Sequence, residues 1–88
     1  MNQRLNKRHQ RTLEAIFSTQ IPATLQWRRI EALFIALGAT KEEGRGSTVT
    51  FKLKAEHTTF HRPHPQKEAK RYHVRDARDF LKKVGITP

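Results

Sequence analysis

An 88-residue chain that is 35% apolar and 30% charged can bury one core and not two. Its 18 Lys and Arg against 8 Asp and Glu give a net charge of +10, a field that gathers polyanions before any specific contact forms, so nucleic acid is the expected partner and an acidic protein the alternative. The absence of cysteine excludes a disulfide framework and thiolate metal sites and fits a reducing cytoplasm, and no apolar run approaches the roughly 20 residues of a membrane span.

Residues 1–44 carry seven basic and four acidic side chains, whereas residues 45–88 carry eleven and four. The basic opening, residues 1–11, leads into no apolar signal core, so no targeting peptide is expected. A first helix is predicted over residues 3–19. Arg4, Lys7, Arg8 and Arg11 make its first half basic, and Leu13, Ile16 and Phe17 give its second half a short apolar patch, so only that half can pack. It is expected to be an accessory helix lying on the domain, with an RNA-gripping arm or a dimer contact as alternatives. Residues 20–25 form a linker broken at Pro22.

A second helix is predicted over 25–37, because Trp27, Ile30, Leu33, Phe34 and Leu37 recur at spacings of three and four. Thr24 is the expected N-cap and Gly38 the expected left-handed residue at the other end. Residues 39–43 are predicted as a short first strand. Gly44, Arg45, Gly46 and Ser47 then turn the chain, either as an ordinary hairpin connection or as a place where a phosphate approaches backbone amides.

The clearest strand is 48–54, where Val49, Phe51 and Leu53 alternate with Thr48, Thr50, Lys52 and Lys54. A turn around Ala55, Glu56 and His57 leads to a third strand over 58–62 with Phe60 facing inward. Parity then places Thr59 and His61 outward beside Thr50 and Lys52, provided the connection has an even number of residues. The last helix is predicted over 74–84, ending at Gly85, with Val74, Ala77, Phe80, Leu81 and Val84 inward and Arg71, Arg75, Arg78, Lys82 and Lys83 elsewhere.

Between the third strand and that helix lies FHRPHPQKE, residues 60–68. Pro63 and Pro65 bias Arg62 and His64 toward extended backbone. The run therefore presents His61, Arg62, His64 and Lys67 on a stiff segment suited to gripping an anion and moving a proton, or it is a Pro-rich connection with histidines in water. A zinc site from His57, His61, His64 and His73 is not expected, since neither a cysteine nor a well-placed carboxylate supports it.

The expected fold is α+β, with residues 1–88 as a single domain: an accessory helix and linker over 1–24 and a core over 25–88. The core reads α-β-β-β-α, with a three-stranded antiparallel sheet covered by helices on one face. This is the layout of double-stranded-RNA-binding domains, which read A-form duplexes by shape and phosphate contact.

The run 27–85 also resembles the HicA family of bacterial toxins, messenger-RNA interferases with a fold like that of double-stranded-RNA-binding domains. The resemblance is carried by the helix ending in Leu37, Gly38 and Ala39, the Gly46-Ser47 turn opening a strand, the Pro63-His64-Pro65 tripeptide, and the final Phe80-Leu81 followed by Gly85. It covers about two thirds of the chain, and the first helix extends beyond it. It implies a small toxin that cleaves RNA without a metal cofactor and is masked by a HicB antitoxin. The family usually shows Gly-Ser-His where this chain reads Gly46-Ser47-Thr48, and that histidine is the catalytic one.

Metal-free RNA cleavage needs a base for the 2′-hydroxyl proton, an acid for the departing 5′-oxygen and cations for the charge between them. His61 is expected to replace the missing imidazole and His64 to be the second. The expected phosphate- and RNA-binding set is Arg45, Ser47, Lys52, Arg62, Lys67, Lys70 and Arg71. No cofactor is expected. The alternatives are a non-catalytic RNA-binding module of the same fold and a basic interaction protein for an acidic partner.

Overall fold

In the computed structural model, which describes residues 5–88, the chain runs α1 (Lys7–Phe17), α2 (Trp27–Ala36), β1 (Thr40–Glu43), β2 (Thr48–Leu53), β3 (Glu56–His61) and α3 (Arg71–Lys83). The strands form one antiparallel sheet in the order β1-β2-β3. The fold is thus α+β, with an α-β-β-β-α core preceded by α1. The predicted residues 3 and 4 of the first helix lie outside the described residues. No helix among the described residues is long and apolar enough to cross a membrane.

The alternating pattern of β2 does what period two requires. Val49 and Phe51 are fully buried, and Phe60 joins them from β3. Phe34 of α2 is the hub, with its ring 5.0 Å from Phe51, 5.4 Å from Phe80 and 6.1 Å from Phe60. Ile30, Leu33, Val74, Ala77 and Leu81 complete the covered side of the sheet. Leu13 and Ile16 bring α1 into the same core, packed on α2 and α3.

Several boundaries differ from expectation, and three have a clear local reason. The second helix starts at Trp27, and its N-cap is Gln26 rather than Thr24. Residues 25–27 are drawn into a short antiparallel pairing with 67–69, with Trp27 N–H donating to Lys67 O at 2.9 Å and Ala69 N–H to Leu25 O at 2.8 Å. That holds Gln26 extended, so the helix cannot begin sooner. The β2–β3 turn is Lys54-Ala55, not Ala55 to His57, because Leu53 pairs with Glu56. Lys54 takes φ +57°, a turn conformation, and its ammonium donates to Val84 O at 2.9 Å.

The last helix begins three residues before the predicted start. His73 is its third residue, and its Nδ1 accepts from the Lys70 N–H at 2.9 Å, the service a Glu or Gln usually performs. Arg78, expected on the solvent side, is half-buried and caps the C-terminus of α1, donating to Ile16 O at 2.8 Å and Ser18 O at 3.3 Å. Gly38 and Gly85 do take positive φ, +101° and +79°, just past α2 and α3.

Candidate active site on the open sheet face

The two-residue β2–β3 turn is even, so parity carries through. Thr48 pairs with His61, Thr50 with Thr59 and Lys52 with His57 on the face that no helix covers. The Thr50 and Thr59 hydroxyls lie 2.7 Å apart. His61 is exposed at the end of β3, directly opposite Thr48, where cross-strand Cβ atoms lie about 5 Å apart. The ladder continues one step further, with Arg62 N–H donating to Ser47 O at 2.9 Å. The end of the open face therefore gathers Thr48 and His61, with Arg45 and Ser47 exposed in the adjoining turn. That turn is closed by Gly44 N–H on Thr48 O at 2.8 Å and Thr48 N–H on Arg45 O at 3.1 Å.

The loop after β3 is anchored at both ends. Its start is held by Arg62, which parity turns to the covered side. Arg62 donates to Glu31 at 2.6 and 3.2 Å and to Glu43 at 2.7 and 2.9 Å, tying the loop to α2 and the end of β1. Trp27 Nε1–H also donates to Glu31, and Lys41 lies 4.0 Å from Glu31 and 3.8 Å from Glu43. Its hydrogen bonds to Glu43 and Glu31 hold the guanidinium above its ordinary pKa, and Arg62 in turn holds Glu43 below the usual carboxylate range. The other end of the loop is fixed by the pairing of 67–69 with 25–27. His64 is exposed on the bend between these anchors, where the chain turns through a cis His64–Pro65 bond rather than running on extended.

His61 and His64 are three positions apart, so their Cα atoms lie no more than about 11 Å apart. Beneath them His73 is fully buried, with its Nε2 2.7 Å from His61 O. Since Nδ1 accepts, Nε2 carries the proton and donates to that carbonyl. Burial pushes the imidazole below the ordinary histidine value, against the bond to His61 O, which favours the charged form. The same bond brings the N-terminus of α3, with exposed Lys70 and Arg71, under the end of β3.

Not every expected site residue joins this group. Arg62, expected to hold phosphate, has its donors taken by two carboxylates and instead fixes the root of the loop. Lys52 lies four residues along β2 from Thr48, about 13 Å away, beside His57. Lys67 is exposed in a groove of about 380 Å³ shared with Gln26, Arg28 and Pro65. Glu31, Glu43 and His73 were not anticipated as supports. Two signals for them are present in the sequence: Trp27 and Glu31 are four apart on one helix, and the parity that turns His61 outward turns Arg62 inward. Among the described residues, no group of three or more His, Asp or Glu side chains is arranged to hold a metal ion.

The α-β-β-β-α core with one open, polar sheet face defines a class of small basic proteins built to present a surface rather than enclose a ligand. Residues 27–86 match the family described as the HicA toxin of bacterial toxin–antitoxin systems, and the chain belongs to that family. Neither the search of curated proteins nor that of solved structures returns a match. The match begins at Trp27, so α1 lies outside it.

Proposed function

We propose that this HicA family chain is a cytoplasmic toxin that binds messenger RNA and cleaves it without a metal, and that a HicB-like antitoxin neutralises it. The observation that carries the reading is the pairing of His61 with Thr48. The imidazole stands one strand across from the position where the family resemblance expects its catalytic histidine. The anchored loop then offers His64 as the second imidazole.

In the proposed reaction one neutral imidazole takes the 2′-hydroxyl proton as that oxygen attacks phosphorus. The other, protonated, gives its proton to the 5′-oxygen as the P–O5′ bond breaks. The products are a 2′,3′-cyclic phosphate and a free 5′-hydroxyl. Arg45, Lys67, Lys70 and Arg71 supply the positive field for the transition-state charge. Arg62 acts here as a positioning residue.

A second reading, a non-catalytic RNA-binding module, is favoured by one observation: the guanidinium nearest the two histidines is already neutralised by Glu31 and Glu43. One experiment separates the two. Purified wild type should cleave messenger RNA, and His61→Ala and His64→Ala should each lose cleavage by about 100-fold or more while keeping RNA binding. Expression in cells should arrest growth, and co-expression of a HicB-like neighbour should relieve it. Wild type that binds RNA without cutting it would establish the second reading, and unchanged cleavage in both variants would remove the site assignment.

A further inference from the structure

α1 lies outside the family match, yet it builds the walls of a groove of about 640 Å³ with the start of α2. Lys7, Arg8 and Arg11 line it from α1, Arg29 from α2, and no acidic side chain lines it. Among the described residues none of these four cations is paired with a carboxylate; the ion pairs there are all on Glu31 and Glu43. Arg62, by contrast, is fully neutralised. The α1 groove therefore holds four uncommitted cations, whereas the guanidinium at the root of the histidine loop is committed to Glu31 and Glu43.

The groove adjoins a smaller groove at the base of the loop that carries His64. Gln26 lines both it and the smaller groove that holds Arg28, Pro65 and Lys67. The next residues of α2 divide between them, Arg28 on one side and Arg29 on the other. At the seam, Gln26 Oε1 is buried without a hydrogen-bond partner among the described residues. The seam is also the N-terminus of α2, where the helix dipole favours negative charge and no acidic residue occupies the first turn.

We infer that the groove between α1 and the start of α2 is a phosphate-binding track for the RNA strand that extends beyond the candidate active site. It rests on the RNA reading above and adds to it an extended substrate: a strand that fills the histidine loop, crosses Gln26 and lays several further phosphates along α1. Short RNAs engage only the loop end, and long ones engage both.

The test uses the full chain and non-cleavable 2′-O-methyl RNA strands of about 4 and about 16 nucleotides. Binding is followed by fluorescence anisotropy from about 50 to 200 mM salt, for wild type and for the triple variant Arg8→Gln, Arg11→Gln, Arg29→Gln. Each phosphate contact on a single strand adds about 0.7 to the slope of log affinity against log salt, so the triple variant should lose about 2 from the slope on the long strand and nothing on the short one. The corresponding Arg→Lys triple should keep the wild-type slope. If the triple Gln variant does not fold, the exposed pair Arg8→Gln, Arg11→Gln should lose about 1.4 on the long strand alone. An unchanged slope on the long strand overturns the track and leaves the RNA reading standing, even if antitoxin binding weakens. An equal loss on both lengths also overturns it, as an effect of net charge alone. Wild type that binds neither strand removes the track and the reading beneath it together.

Discussion

The two faces of the sheet are built from the same three strands and serve opposite ends. The covered face stacks Phe34, Phe51, Phe60 and Phe80 at centroid distances of 5.0 to 6.3 Å, and its polar groups, Arg62 and His73 among them, are bonded to fixed partners. The open face presents Thr40 and Glu42 from β1, Thr48, Thr50 and Lys52 from β2, and His57, Thr59 and His61 from β3, and among the described residues its side chains are joined by the Thr50–Thr59 hydrogen bond. Stability resides on one face and the proposed chemistry lies on the other, and the lesson is that the first positions the second. His61 belongs to the open face, but its carbonyl is bonded to His73 and its neighbour Arg62 is clamped beneath it.

If that division holds, the largest effect comes from the covered side. Phe34→Ala empties the centre of the ring cluster and should destabilise the fold by about 3–5 kcal/mol, whereas Thr59→Ala on the open face should change it by about 0.5 kcal/mol or less. Chemical denaturation of both variants checks this. A Thr59→Ala cost comparable to that of Phe34→Ala would mean the open face is structural as well.

A smaller effect tests the link between the faces. Arg62→Met removes the bonds to Glu31 and Glu43 and leaves Glu31, half-buried beside Trp27, with only Lys41 at 4.0 Å opposing its charge. Loss of charge-assisted bonds in such a partly buried site should cost about 2–3 kcal/mol. If Arg62 positions rather than grips, the variant should lose turnover by loosening the loop while its salt slope for RNA binding stays that of wild type. A slope lowered by about 0.7 would instead make Arg62 a phosphate ligand, returning it to the role its neighbours in the sequence suggest.

Much of this arrangement was readable from residue order. Period two in Val49, Phe51 and Leu53, with Phe60 across the turn, is enough to place His61 outward, and the 3–4 spacing from Trp27 to Phe34 is enough to face α2 inward. What the sequence did not disclose were bonds between segments far apart in the chain. Nothing local announces that residues 25–27 pair with 67–69, which is why the Thr24 cap failed. Nothing local announces that His73 Nδ1 accepts from the Lys70 amide, the return half of a capping box, although Lys70 has no side-chain acceptor for the amides of the first turn. Arg62 was read as a cation among histidines because its carboxylates arrive from α2 and β1, 31 and 19 residues earlier.

The smallest expected effect probes His73, whose buried ring is bonded to the backbone carbonyl of His61. Its ring is neutral, with Nδ1 accepting from Lys70 N–H and Nε2 donating to His61 O, and protonation would break the first bond and place a charge in a buried site next to Lys70. Asp76 on the next turn opposes this only in part. The folded-state pKa therefore lies below the ordinary histidine value of 6.5 that the unfolded chain shows. Below pH 6.5 the unfolded chain binds a proton that the folded one refuses, so stability falls as pH drops through that value, at no more than about 1.4 kcal/mol per pH unit for one group. His73→Gln keeps an acceptor for the Lys70 amide without a titrating group, so its stability should fall less between about pH 7 and pH 5, above the range where carboxylates titrate. Parallel denaturation series for the two proteins measure that difference. Identical slopes would mean that His73 takes its proton as readily folded as unfolded, and the open face would then lose the fixed neutral ring beneath His61.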